Sequence, residues 1–368
     1  MHDRQAPPFR AEHVGSLLRP PELRRAFRAH EAGEMTREAF AQVQDRAILE
    51  ALALQERAGL RVVTDGEFRR GSYWSRFVDR VEGLGVREAR FEFRDDRGRH
   101  QAFTAPHVEG KVARRCGIST DEFAFLNAKT ERTVKLTMPS PPTMHFWRGP
   151  DGLEKDAYPD PAAFLADLAL VYQAEIAELA RLGARYVQLD EVPLAMLCDP
   201  GVRAAVRERG EDPEALVATY VSAINAALAG RPPGLVAALH LCRGNFKGSY
   251  LSEGGYEAVA ERIFSELRVD ALLLEYDTAR AGSFEPLRFV PRTTFAILGL
   301  VSTKTPSLEE PHALVRRIEE AARYVDVDRL GISPQCGFAS TVAGNPLTLE
   351  DEEAKLGLVV EVARRVWG

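Results

Sequence analysis

Cysteine is scarce in this sequence: Cys116, Cys198, Cys242 and Cys336 are the four in 368 residues. That is too few for a disulfide scaffold, and in a reducing compartment such residues serve packing, metal binding or catalysis. Long apolar runs are missing too, and none could span a bilayer. The stretch Met1-His-Asp-Arg-Gln-Ala-Pro-Pro8 has no apolar signal core. These absences predict a cytoplasmic protein with no membrane partner. Positive charge is not in excess. A net charge of −6 argues against a general nucleic-acid binder. No G-x-G-x-x-G or Walker A pattern follows a strand-like run, which disfavours a doubly wound nucleotide-binding sheet. Low-complexity segments, short repeats and obvious linkers are absent.

What is present is an ordinary globular composition, 45% apolar and 28% charged. The length allows two average domains or one large α/β barrel. Strand-like runs that end in polar or Gly/Pro residues recur, and most are followed by a helical pattern. The first run is Arg10–Ser16, followed by an amphipathic stretch Thr36–Ala58 that ends at Gly59. The second run is Leu60–Glu67. Residues 75–133 then break the rhythm with alternating, charge-rich runs, Val86–Phe93 and Ala102–Ala113, around Asp95-Asp-Arg-Gly98. They predict a β-hairpin insertion, followed by a helix near 120–130.

The rhythm resumes at Val134–Pro139, with a periodic helix Asp160–Leu182 that has Pro161 in its first turn and Gly183 at its end. Ala184–Glu191, Leu235–Cys242, Val269–Asp277, Phe295–Val301 and Leu330–Cys336 complete the runs. Helices are expected at Glu211–Leu228, Tyr256–Leu267, Ser307–Tyr324 and Thr348–Val366, with Ser307 and Glu310 forming a capping box. Eight near-continuous apolar runs alternating with helices predict parallel strands covered on both faces. The expectation is one TIM (β/α)8 barrel over residues 1–368, with 75–133 inserted after its second strand.

A barrel of this kind gathers its chemistry at the C-terminal strand ends. The polar residues there are His13 and Ser16, Asp65 and Glu67, Asp190 and Glu191, His240 and Cys242, Glu275 and Asp277, and Cys336. His240 and Cys242 are two apart, so in a strand they face one side. With Glu275 and Cys336 they make a zinc-type donor set. Taken singly, each has a blander role: Cys336 as a small core residue, Glu275 as a helix cap or a partner of Arg280, Glu67 as a partner of Arg69 or Arg70. Cys116 and Cys198 lack such placement and read as structural. An anionic donor set makes zinc a poor activator of water but suits binding a substrate thiol as thiolate. The residues therefore point to alkyl transfer to a thiol.

At this point the chain resembles a family. His13-Val-Gly-Ser16, Asp65-Gly-Glu-Phe68, Leu189-Asp-Glu-Val-Pro193, His240-Leu-Cys242, Glu275-Tyr-Asp277 and Ser333-Pro-Gln-Cys-Gly337 are similar, in order and strand placement, to the catalytic barrel of cobalamin-independent methionine synthases. The shorter, single-barrel relatives are the nearer match. The resemblance covers nearly the whole chain and implies methyl transfer from 5-methyltetrahydrofolate, or another methyl donor, to the thiol of homocysteine. It implies zinc held by His240, Cys242, Glu275 and Cys336. It also implies contact of Ser16 with the substrate carboxylate, and a hold on the amino group by Glu67 and Asp190. Family members stack a folate pterin on a Trp in the region of Trp147, whereas His145 reads as structural and Glu191 as a loop anchor. Asp190 and Lys304 are the candidate catalytic residues.

Two departures matter. Full-length members carry a second, N-terminal barrel that helps bind the polyglutamated folate, and the resemblance here covers the catalytic barrel alone. The family's His-Ser-Pro segment after the seventh strand reads Val301-Ser-Thr-Lys-Thr-Pro306 here, so Lys304 or a neighbour stands where a proton-donating His would be. An ammonium stabilises charge, but its ordinary pKa makes it a poor acid near neutrality. Competing readings keep the metal and change the chemistry: alkyl transfer to another small thiol of the coenzyme M type from an epoxide or corrinoid donor, or a non-catalytic thiol- or zinc-binding barrel. A metal-free barrel of the uroporphyrinogen decarboxylase type would instead need arginines for propionates and no thiol pair. Oligomeric state is not legible in the sequence.

Overall fold

A computed structural model describes residues 6–95 and 97–368. Met1–Gln5, part of the stretch expected to lack a signal core, and Asp96 of the expected hairpin turn lie outside the described residues. Nine strands occur among the described residues: β1 (Val62–Val63), β2 (Val81–Arg94), β3 (His100–Arg114), β4 (Thr133–Pro139), β5 (Tyr186–Glu191), β6 (Val236–Leu241), β7 (Ala271–Glu275), β8 (Phe295–Val301) and β9 (Leu330–Pro334). Seven form one parallel sheet in the order β1-β4-β5-β6-β7-β8-β9. β2 and β3 form a separate antiparallel pair. The main strands are apolar and buried along their length, as strands covered on both faces must be.

Residues 9–17 join the two ends of the parallel sheet. On one side Ala11 makes a parallel bridge to Ile332 of β9. On the other, Leu17 N–H donates to Gly66 O at 3.1 Å, just beyond β1. The sheet thereby curls into a TIM-like α/β barrel. The expected first strand, Arg10–Ser16, is reduced to that single bridge. Its polar groups are used otherwise: Glu12 Oε1 accepts from Phe9 N–H at 3.1 Å, and the His13 carbonyl accepts from the buried Lys135 ammonium. Side-chain bonds of this kind compete with ladder pairing. Lys135 also pairs with Glu12 Oε2 at 3.1 Å inside the barrel. The second run is shortened for a different reason. Gly66 and Glu67 adopt φ of +68° and +62°, which no strand tolerates.

Helices pack outside the sheet, and local sequence ends them. Thr36 Oγ1 caps Arg37–Ala58, which stops at Gly59 in the left-handed region. Asp160 and Asp212 cap Pro161–Arg181 and Pro213–Ala227. A Thr348–Asp351 capping box opens Leu349–Trp367. The Ser307–Glu310 box is not formed: that helix starts at Pro311, with Glu310 at the cap position and no side-chain cap bond. Pro311 is favoured at the first helical position, which sets the start four residues late. Glu309 is drawn off to the Ser302 backbone N–H at 2.7 Å.

The antiparallel pair reaches over the sheet's C-terminal ends. Backbone bonds fix it there: Arg94 exchanges two with Tyr250 (2.7 and 2.9 Å), and Arg90 N–H donates to Trp147 O at 3.0 Å. Phe91 stacks on Phe146, with centroids 5.0 Å apart and planes 6° apart.

Candidate functional site

Strand register puts the chemistry side by side. Asp190 of β5 pairs with His240 of β6, and the chain leaves β6 through Cys242. Gly244, at φ +90°, turns it away; a side chain there would strike Leu251 at 2.8 Å. Cys336 arrives just past β9. The sulfurs of Cys242 and Cys336 lie 3.2 Å apart. Ligand atoms of His240, Cys242 and Cys336 all lie within 4.8 Å of one another. The His240 ring is oriented by Nδ1 against Leu273 O at 3.3 Å, while its Nε2 is buried with no hydrogen-bond partner. A hydrogen bond from Cys242 holds the Cys336 thiol well below its usual range, against the effect of burial. The same bond, with burial, pushes Cys242 well above it. For His240, burial acts to lower the pKa, but the bond to Cys336 and its charge outweigh it and raise it.

Glu275 ends β7 beside this group but outside it. Its Oε2 accepts from Arg243 N–H at 2.9 Å, and its Oε1 from Lys304 Nζ at 3.1 Å. Arg243 is itself buried, bonded to Gly254 O and Glu275 O, with its guanidinium 4.3 Å from the Tyr256 ring centroid. Lys304 and Arg243 thus take the carboxylate oxygens.

Ser16, Glu67, Trp147 and Asp190 line one cavity of about 460 Å³ that also reaches His240, Cys242 and Cys336, whereas Lys304 does not line it. Asp190 Oδ1 accepts from Gln188 Nε2 at 2.7 Å, and burial, reinforced by Glu67, pushes its pKa up to about 7. Glu67 Oε1 accepts from Thr137 Oγ1 at 2.7 Å and lies 3.6 Å from Arg70, whereas Oε2 is buried without a partner. A glutamate at φ +62° is costly, and it persists because its surroundings fix it. Asp65 Oδ1 accepts from its N–H at 2.8 Å and Arg19 donates to its carbonyl at 2.9 Å. Two buried carboxylates facing one space suit an ammonium group.

Ser16 lies where the 9–17 segment meets the end of β9, its carbonyl accepting from Phe338 N–H at 2.9 Å. The glycine of Ser333-Pro-Gln-Cys-Gly337 follows from this contact: a Cβ at Gly337 would come 1.9 Å from Ser16 Oγ. Trp147 lines the cavity but is 2% exposed, set edge-on to Phe103 with centroids 5.3 Å apart. His145 Nδ1 meets Tyr220 OH at 2.8 Å, the structural place expected of it. Glu191 holds a turn by accepting from Leu194 N–H and Ser140 Oγ. Cys198 is buried and Cys116 exposed, both away from the group.

Sequence reasoning missed the supporting ions. Arg70 bonds Glu122 at 2.8 Å and Thr137 O at 2.9 Å, holding Glu67 from behind. It also missed Phe93 and Phe103 of the antiparallel pair, which line the cavity with Phe246. The Phe91-Glu-Phe93 alternation was the available signal, since one face of such a strand must be covered.

An imidazole and two thiols gathered beside paired carboxylates define a TIM-like barrel with a histidine–cysteine site at its mouth. More narrowly, residues 9–365 match the family described as "Cobalamin-independent synthase, Catalytic domain", and the chain belongs to it. It is 41% identical to "Uncharacterized protein YxjG" of Bacillus subtilis, over 99% of this chain and 96% of that one. It is 28% identical to a methionine synthase of Pyrococcus horikoshii, over 88% and 85%. Among solved structures, a Listeria monocytogenes protein described as a candidate vitamin-B12-independent methionine synthase superposes with a TM-score of 0.76 at 29% identity, covering 99% of both chains. A Shewanella B12-independent methionine synthase, solved with selenomethionine, shares the fold at TM-score 0.73 and 21% identity over 97% of both chains. No helix among the described residues is long and apolar enough to cross a membrane.

Proposed function

We propose that the chain is a zinc-dependent methyltransferase that carries a methyl group to the thiol of homocysteine and forms methionine. The observation that carries this reading is the group of His240, Cys242 and Cys336, within 4.8 Å of one another and opening onto the same cavity as Glu67 and Asp190. These residues fit zinc: an imidazole nitrogen buried without a partner and two adjacent sulfurs are its preferred donors. Glu275, at the end of β7, would serve as the fourth donor on release from Lys304. The chemistry zinc supplies at such a site is acidification of a substrate thiol, with anionic donors keeping the sulfur electron-rich.

The protein's own groups do the rest. Glu67 and Asp190 receive the ammonium of the amino acid, and Ser16 its carboxylate. The buried Arg70 keeps Glu67 in place. Closeness and alignment of thiolate and methyl group in the cavity supply much of the acceleration. The thiol pair, together with a cavity lining that contains no arginine, disfavours the metal-free decarboxylase reading. Metal content and product formation test the proposal. Wild type should bind zinc and form methionine from homocysteine and a methyl donor, while Cys242→Ser and Cys336→Ser lose both. Zinc content unchanged in both variants would refute it.

A further inference from the structure

The methyl donor has to occupy what the thiol leaves of the same cavity, and the lining there is one-sided in charge. Glu67 and Asp190 face it, and among the described residues no lysine or arginine lines it. Lys304 is 7% exposed and paired with Glu275, and the ammonium of the exposed Lys247 already lies over one ring beside the cavity, 5.0 Å from the Phe246 centroid. The same cavity is lined by aromatic side chains. Phe246, Phe93, Phe103 and Trp147 follow one another with centroids 5.3, 4.9 and 5.3 Å apart. Successive ring planes are tilted by 34°, 60° and 86°, so ring faces as well as edges are offered. Two of the four rings come from the antiparallel pair that covers the barrel mouth. A cavity lined by carboxylates and rings, with no lysine or arginine among its described lining residues, attracts a cation and repels an anion.

We propose that this aromatic wall is a subsite for a cationic methyl donor, an onium compound in which the methyl group sits on a positively charged sulfur or nitrogen. The inference rests on the methyltransferase reading above and names its donor class. The step balances without a protein acid. The substrate thiol gives its proton to solvent. The sulfur lone pair forms the new S–CH3 bond as the CH3–S⁺ or CH3–N⁺ bond breaks. That bond's electron pair stays on the departing heteroatom, which leaves neutral as a thioether or tertiary amine. A neutral methyl-amine donor would instead need protonation as it leaves, and Lys304 is engaged elsewhere.

Binding and turnover test this on the zinc-loaded full chain. Calorimetric titration compares choline with its uncharged isostere 3,3-dimethylbutan-1-ol. Choline should bind about tenfold more tightly, and Phe103→Leu should shrink that ratio several-fold. Equal binding of the two probes by the wild type overturns the proposal without recourse to any variant. Methionine formation from homocysteine is then followed with S-methylmethionine, with glycine betaine, with 5-methyltetrahydrofolate and with methylcobalamin. Turnover with either onium compound supports the subsite, and the two arms say whether sulfur or nitrogen carries the methyl group. Turnover only with methyltetrahydrofolate or methylcobalamin overturns the onium inference and leaves the methyltransferase standing. No methionine from any donor, with zinc content unmoved in the cysteine variants, overturns both.

Discussion

Arg70→Met is the most informative perturbation of the carboxylate side of the site. Arg70 and Glu122 are 2% and 0% exposed at the side chain, so the pair sits outside solvent screening. The guanidinium bonds Glu122 through Nε (3.3 Å) and Nη2 (2.8 Å), and Thr137 through its hydroxyl (3.0 Å) and carbonyl (2.9 Å). Methionine replaces the stem but leaves Glu122 with Arg76 at 3.4 Å, and Glu67 with no cation at 3.6 Å. Breaking a buried pair by removing one partner costs about 3–5 kcal/mol. Glu122→Gln should cost a similar amount, because it strands the arginine. The double variant removes both charges and should fall short of the summed costs by about 1–3 kcal/mol, the coupling typical of contacting groups. Urea unfolding of the four proteins, at one pH and without added zinc, measures that coupling. Simple additivity would refute the view that Arg70 and Glu122 act as one unit behind Glu67.

Gly337→Ala should weaken homocysteine binding about tenfold or more with a small loss of melting temperature, because the new methyl displaces Ser16, 1.9 Å away, and not the core; a KM unchanged from wild type would count against a role for Ser16. Burial pushes the Glu352 carboxyl up to about 8, so the folded protein favours its neutral form. Its contribution to stability is therefore complete below the ordinary glutamate range and fades as pH rises toward 8. Glu352→Gln keeps the acceptor for Leu18 N–H and should remove up to about 1.4 kcal/mol per pH unit of that decline, seen as a flatter urea midpoint from pH 5 to 8; parallel profiles would refute it. Lys304→Met strands Glu275 and should lower the melting temperature of the zinc-free protein, while added zinc should raise it by more than in wild type, since the freed carboxylate can turn to the metal. An equal zinc-induced rise in both proteins would show that Glu275 does not join the donors.

The parts of this protein that are legible in sequence are those set by short-range pattern. Apolar runs ending in polar residues announce β4 through β9, because a strand buried on both faces has few other ways to be written. The His240-Leu-Cys242 alternation places two donors on one side of a strand end, and Cys336 joins them because β9 ends at a matching height. What stayed hidden depends on partners far along the chain. Glu275 looks like any donor until Lys304, 29 residues on, is seen to hold it. Arg10–Ser16 has the apolar look of a strand, but Lys135 takes the His13 carbonyl that a ladder would use. The Ser307 capping box failed because a proline at the first helical position outranks it. Trp147 could be placed near the mouth, yet its edge-on packing required a hairpin phenylalanine that no local pattern pairs with it.

The closure of the barrel by residues 9–17 has a consequence for how the molecule is made. Cys242 and Cys336 are 94 residues apart, and Leu18 N–H reaches Glu352 across 334. A chain still emerging from the ribosome offers His240 and Cys242 alone, a two-donor patch with little hold on a metal. The third donor, the glycine that seats Ser16 and the helix that anchors Leu18 all come later. On the function proposed above, metal capture and substrate recognition would mature together, as a check that synthesis has passed Cys336, and a product truncated before that point would carry half a site and compete poorly for zinc.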